Sequence, residues 1–247
     1  MGRLVMLTGP SCVGKGPLHQ ALKRFYPALE HRLQKLVLFN SRSPRPGEQN
    51  GVDYHFLPRE EIQAMAKQDG YIVLDVRGDL QGLDVANLRQ ILNGDRDAFF
   101  EGNPFVPLEL LKSPLLSGVP VLSAFLSPLS RAEIEYLKDP ARRVSLPAFV
   151  TDVMRRKLLR RTQRQKGILS LQDLENVERR AGSAYREMQL AWHFDHVIPN
   201  HDGEDSENWD AFYYPLGDAR RALLAFATIL DGGETAYAEK WDADLLP

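Results

Sequence analysis

Cysteine is almost missing from this chain: 247 residues contain one, Cys12. A single thiol excludes an internal disulfide, leaves the fold to its hydrophobic core, and suits a reducing compartment. Long apolar runs are missing too, and none reaches the roughly 20 residues that a membrane-spanning helix needs. The first apolar run opens at Leu4. That leaves no room for a cleaved leader, so a cytoplasmic location is the expectation. An excess of either charge is also lacking. Lys+Arg number 31 against 33 Asp+Glu, a net charge of −2, so no global field draws the chain to nucleic acid or to an anionic membrane. Repeats and low-complexity tracts are absent, which argues against solenoids and disordered linkers. The histidines lack metal-ligand spacing: His193, His196 and His201 read as strand and loop positions rather than a zinc set. The length suffices for one domain with a proper core, and nothing in it speaks to oligomeric state.

What is there begins at the N-terminus. Leu4-Val5-Met6-Leu7 runs into Gly9-Pro10-Ser11-Cys12-Val13-Gly14-Lys15, a strand entering G-x4-G-K with a helix start at Gly16-Pro17. Glycines at this spacing let a loop wrap so that backbone N–H groups converge on phosphate oxygens, and the helix N-terminus adds partial positive charge. Gly9, Ser11, Cys12, Val13, Gly14, Lys15 and Gly16 are therefore candidate nucleotide-binding residues, with Lys15 reaching the terminal phosphates. The usual Ser or Thr after the lysine, which places a hydroxyl on Mg²⁺, is replaced by Gly16. Cys12 is read as a small side chain rather than a nucleophile.

Further along, short strand-like runs alternate with helical ones. Strands are expected near 36–39, 54–57, 71–76, 98–101, 119–125 and 195–198. Helices are expected near 18–25, 58–68, 84–92, 130–137, 147–164, 171–192 and 218–230. Alternation of this kind predicts an α/β fold with a mostly parallel sheet flanked by helices and ligands at the carboxyl ends of its strands.

A second motif is more specific. Arg42-Ser-Pro44-Arg45-Pro-Gly47-Glu48-Gln-Asn-Gly51-Val-Asp53-Tyr54-His-Phe56 puts two arginines three apart on a loop stiffened by proline and glycine, a fork pair suited to a phosphate dianion. With Gly9-Pro-Ser11, this segment strongly resembles the acceptor segment of guanylate kinases, R-x-P-R-x-G-E-x-x-G-x-D-Y-x-F. The resemblance continues at 58–61, 179–187 and 194–200, and covers about two thirds of the chain.

That resemblance implies a P-loop NTPase fold: one guanylate-kinase-like domain over 1–247, with an acceptor-binding subdomain at about 38–97, an insert at about 103–150 and a helical lid at about 151–180. It implies ATP and Mg²⁺ as cofactors and phosphoryl transfer to a phosphate acceptor, nominally GMP, as the reaction. Arg42, Arg45, Glu48 and Tyr54 would hold the acceptor, Glu101 would place the metal, and Asn200 would lie near the adenine. Lid arginines Arg161, Arg164 and Arg180 would neutralise developing charge beside Lys15. The basic run 155–166 is read as this lid, not as an RNA surface. The resemblance implies base-reading positions that differ from the family pattern, with Leu38 where a hydroxyl and Val73 where a carboxylate is expected, while Gln81 stands where a phosphate-contacting tyrosine is expected. Asp75, on the same strand face as Val73 by two-residue periodicity, is the candidate replacement. The expected partner is a nucleotide or another small phosphorylated substrate, with no membrane and no nucleic acid. Two alternatives remain at this level: a kinase of ribose 1,5-bisphosphate, and a non-catalytic module that binds a phosphorylated partner.

Overall fold

The computed structural model describes residues 2–45 and 47–246, with the side chain of Leu115 outside that description. The strands are β1 (Leu4–Thr8), β2 (Leu33–Lys35), β3 (Phe39–Asn40), β4 (His55–Phe56), β5 (Tyr71–Val76), β6 (Asp79–Asp84), β7 (Asp97–Gly102), β8 (Val121–Ser127) and β9 (His196–Pro199). The α-helices are α1 (Lys15–Phe25), α2 (Pro27–Glu30), α3 (Arg59–Met65), α4 (Val85–Leu92), α5 (Phe105–Lys112), α6 (Arg131–Lys138), α7 (Leu146–Lys166), α8 (Leu171–Gly182), α9 (Ala184–Met188) and α10 (Gly217–Leu230). Five strands pair in the order β2-β7-β1-β8-β9 and four in the order β4-β3-β6-β5. The β2–β7 and β8–β9 pairs run parallel, as the strand–helix alternation predicts.

The chain forms two compact units, the first made of 1–5, 32–100 and 105–121, the second of 6–31, 101–104 and 122–247. In the first, the four-stranded sheet carries α3 on one face. Ile62 of α3 is fully buried, and Gly82 of β6 leaves room for it and for Phe39: a Cβ there would stand 3.4 Å from Phe39 Cβ and 3.6 Å from Ile62 Cγ2. Helix α4 is started by Asp84, whose Oδ1 accepts from the N–H groups of Ala86 and Asn87, and buries Leu88, Ile91 and Leu92. Within the expected 103–150 insert, Val106, Leu108, Leu110 and Leu116 are buried while Leu111 is exposed, so most of its apolar residues are core.

In the second unit, Met6, Leu7, Leu18, Leu22, Phe125, Phe194 and Phe226 form the largest part of the interior. Helix α7 has the basic composition expected of 147–164 and buries Leu146, Val150, Met154 and Leu158 along one stripe. The single helix expected over 171–192 is instead broken. Helix α8 opens on a capping box at Ser170 and Asp173 and stops at Gly182, then α9 and a 3₁₀ turn (Ala191–His193) follow. Ser183 sits at the break, its hydroxyl bonded to Arg180 O and Glu187 Oε1, a local competitor for the helical ladder. The strand expected at 36–39 is not found as such: residues 36–38 lie between β2 and β3, and only Phe39 belongs to a strand. Among the described residues, no helix is long and apolar enough to cross a membrane.

Candidate functional site

The first half of the candidate site is the loop between β1 and α1. Gly14 has φ 105°, a left-handed value that glycine adopts without strain. A Cβ there would also meet Asn200 Nδ2 at 2.5 Å and Asp202 O at 2.7 Å. Lys15 is buried and folds back across the loop, with Nζ donating to Gly9 O at 2.9 Å and Pro10 O at 2.7 Å. Its ammonium is thereby held against the loop's first two carbonyls. Arg180 reaches the same loop, its Nε donating to Ser11 Oγ at 3.0 Å.

Residues 200–209 brace this loop. Asn200 is fully buried, and its Nδ2 donates to Val13 O at 2.8 Å and Asp202 O at 2.7 Å. Trp209 Nε1 donates to Asp202 O and Gly203 O. Gly203 passes so close to Cys12 that a Cβ on it would lie 2.2 Å from Cys12 O. Glu204 follows. Burial opposes its charge, but Lys15 and Arg161 outweigh burial and hold its carboxyl below the usual range. The Cys12 thiol goes the other way: burial, then the charge of Glu204, push its pKa far above the ordinary value, which removes thiolate chemistry at this position.

Glu101, at the end of β7, lies beside Gly16: a Cβ on Gly16 would stand 3.8 Å from Glu101 Oε1. Its Oε2 is paired with His19 Nδ1 at 3.1 Å. The space left by the missing hydroxyl therefore borders a carboxylate. A cavity of about 330 Å³ runs along α1, lined among others by Pro17, Gln20, Arg24, Arg164, Glu204 and Trp209. Arg164 lines it while its Nη2 pairs with Glu207 at 3.1 Å.

The second half lies in the first unit. Glu48 organises it: Oε2 accepts from Arg42 Nη1 at 2.6 Å and from the Arg45 backbone N–H at 2.8 Å, and Oε1 accepts from Arg42 Nη2 at 2.7 Å. Burial raises the Glu48 pKa, but the bonds from Arg42 and Arg45 and the charges of both arginines prevail, so the carboxyl titrates below its ordinary value. Arg42 Nη1 also donates to Ser43 O. What remains of the Arg42 fork is one edge, the Nε–H and a second Nη2–H. The guanidinium lies over the rings of Tyr54 and Phe56, at 5.1 and 5.4 Å.

The structure thus gathers Lys15, Ser11, Cys12, Val13, Gly14, Arg161 and Arg180 with Asn200 about one loop, and Arg42, Arg45, Glu48 and Tyr54 about another. Asp75 does not join the second group. It pairs with Leu80 in the β5–β6 register, which puts it on the face that carries α3. There it accepts from the Gly78 N–H at 2.7 Å and pairs with Arg59 of α3 at 3.5 Å. The clamp occupies the other face. Sequence reasoning missed Glu204, Trp209, Gly203 and His19, all of which act through contacts distant in the chain. An acidic stretch at 202–207 was visible, but nothing local ties it to the phosphate loop.

Comparison with known proteins identifies the family. The family model described as guanylate kinase matches residues 1–117. A guanylate kinase from Synechococcus sp. (strain JA-3-3Ab) is 31% identical over 217 residues, covering 87% of this chain and 83% of that protein. One from Corynebacterium diphtheriae is 30% identical over 207 residues, covering 83% and 90%. The crystal structure of guanylate kinase from Anaplasma phagocytophilum superimposes with a TM-score of 0.56 at 18% identity, covering 96% of this chain and 89% of that one; at that identity it speaks for the fold. On the two sequence relatives, each matched over most of its length, the chain belongs to the guanylate kinase family.

Proposed function

We propose that this protein transfers the γ-phosphoryl group of ATP to the phosphate of GMP, giving GDP and ADP. The observation that carries the reading is the Arg42–Glu48–Arg45 clamp, a preorganised dianion receptor, in a chain that also carries a lysine-bearing phosphate loop. The loop amides and Lys15 hold the donor phosphates. The cavity along α1 is large enough to take the donor nucleoside, with Asn200 fixing the loop. Arg42, Arg45 and Tyr54 hold the acceptor phosphate, and Arg161, Arg164 and Arg180 offset charge as the phosphoryl group moves. No general base is required, since the acceptor's second ionisation, with a pKa of about 6, is largely complete at neutral pH. Transfer of this kind depends on positioning and charge stabilisation.

Mg²⁺ fits the donor half. Among the described residues no group of three or more metal-ligating side chains gathers, and a largely hydrated Mg²⁺ on phosphate oxygens needs only one or two carboxylates. Glu101, beside Gly16, is the residue to hold it. Held there, it would supply charge neutralisation at the donor phosphates. The cytoplasm is the proposed setting, in keeping with the single buried thiol.

The test is phosphorylation by ATP and Mg²⁺ of GMP, dGMP, AMP, CMP, UMP and ribose 1,5-bisphosphate, with a Lys15→Ala control and products separated by chromatography. GMP conversion lost in the control is the expected result. Conversion of the sugar bisphosphate instead would point to the apolar positions Leu38 and Val73 as a rebuilt base side. No conversion by folded protein would refute the kinase reading.

A further inference from the structure

The four-stranded sheet places one polar group where the clamp needs it. In register, Asn40 of β3 pairs with Phe56 of β4 on one side and Gln81 of β6 on the other, and Gln81 pairs with Leu74 of β5. Directly paired residues share a face, so Phe56, Asn40, Gln81 and Leu74 form a row across the sheet, opposite to α3. Arg42 belongs to the same face, because its guanidinium lies over the Phe56 ring. Asn40 is fully buried and Gln81 nearly so.

The two ends of the Asn40 amide fare differently. Oδ1 accepts from the Arg42 backbone N–H at 3.1 Å, which also fixes which end is oxygen. Nδ2 is shut off from solvent and has no hydrogen-bond partner. Folded proteins leave few such groups, because each forfeits the hydrogen bonds it makes with water in the unfolded chain. An apolar residue would avoid that cost. Here the orphan donor belongs to a side chain two residues from the arginine that defines the clamp, on the face its guanidinium occupies, whose oxygen accepts from that arginine's own backbone N–H.

We propose that Asn40 is a further substrate-binding residue, its Nδ2 donating a hydrogen bond to an oxygen of the acceptor's phosphate. The inference rests on the acceptor reading of the arginine loop and extends it. Access requires the neighbouring Arg42 and Gln81 side chains to move aside, so Nδ2 engages only as the acceptor settles into the clamp. A donor of this kind, satisfied only in the complex, stabilises bound over free protein by relieving the orphan as well as by making the bond.

The experiment compares wild type, Asn40→Asp and Arg42→Ala by calorimetric titration with GMP and with guanosine, each protein first checked by thermal melting. Asp keeps the oxygen that holds the Arg42 N–H and turns the donor into an acceptor, facing phosphate with like charge. Asn40→Asp is expected to melt within a few degrees of wild type, to bind GMP about tenfold or more weaker, and to leave guanosine binding unchanged. Unchanged GMP affinity in Asn40→Asp with loss in Arg42→Ala would overturn this inference and leave the clamp standing. Unchanged GMP affinity in Arg42→Ala would bring down the acceptor reading itself. Equal losses for GMP and guanosine would assign Nδ2 to the base and overturn the phosphate assignment. Should Asn40→Asp not melt cooperatively, Asn40→Ala, which has no side-chain donor, carries the same comparison.

Discussion

Glu48→Gln is the sharpest perturbation of the acceptor clamp, because it changes one atom and little volume. In the native loop both carboxylate oxygens receive Arg42, at 2.6 and 2.7 Å, and one also receives the Arg45 N–H at 2.8 Å. Glutamine retains one acceptor oxygen and presents an NH₂ to the other arginine nitrogen, donor against donor. At least one charge-assisted bond is lost, worth about 1.5–3 kcal/mol. Since the pair is mostly buried, with side-chain exposures of 13% and 19%, solvent recovers only part of that. If half of the loss appears as misorientation of the remaining Arg42 edge, acceptor binding weakens by about 0.75–1.5 kcal/mol, roughly four- to twelvefold. Steady-state kinetics with GMP varied at saturating ATP should show KM raised by that factor and kcat within about twofold, the mark of lost uniform binding. The pH dependence follows from the depressed Glu48 carboxyl. A folded-state pKa below the unfolded value gives stability that is present above the unfolded pKa and is lost as pH falls through the folded one. Wild type therefore loses melting temperature on acidification below about pH 4.5, more steeply than Glu48→Gln. An unchanged KM, with only a lower melting temperature, would refute the claim that Glu48 aims Arg42 at the acceptor.

Three further outcomes are expected. Asn200→Ala strips two carbonyls and the Asp202 N–H of a buried partner; it should cost about 2 kcal/mol or more of stability and raise the KM for ATP more than that for GMP, and equal effects on both would count against a donor-side role. Cys12, with its pKa raised by burial, should react with a disulfide reagent at pH 8 far more slowly in native protein than in urea; comparable rates would contradict the packing of Gly203 on Cys12. Burial raises the Asp218 pKa, but the bond and charge of His201, with Arg221, pull it below the ordinary value. The stability it contributes is present above its unfolded pKa and lost below about pH 4. Asp218→Asn should flatten the acid limb of the melting curve, and parallel limbs would rule this out.

What was legible in the sequence was local. The strand, loop and helix around Lys15 and the arginine loop from Arg42 to Phe56 are set by residues adjacent in the chain, so spacing alone exposed them. Strand β6 was not seen because Asp79, Gln81, Gly82 and Asp84 dilute its apolar pattern; it forms because β3 and β5 pair with it on either side. The break at Ser183 was hidden by helical periodicity that continues across it. Periodicity correctly put Asp75 and Val73 on one face, yet could not say that α3, rather than the clamp, lies over that face. The brace from residues 200–209 was out of reach for the same reason: it is defined by contacts such as Asn200 to Val13, 187 positions apart.

That brace bears on the order in which the protein is made. The phosphate loop is translated well before its brace: Asn200, which donates to Val13 O, follows it by 187 positions, and Trp209, which holds Asp202 O and Gly203 O, comes later still. A nascent chain stopped before residue 200 would carry every residue of the nucleotide-binding motif without the groups that stiffen it. A stiff phosphate loop should then appear late and abruptly as the chain lengthens, with α7 and α8 already made and only α10 and the residues after it still to be translated.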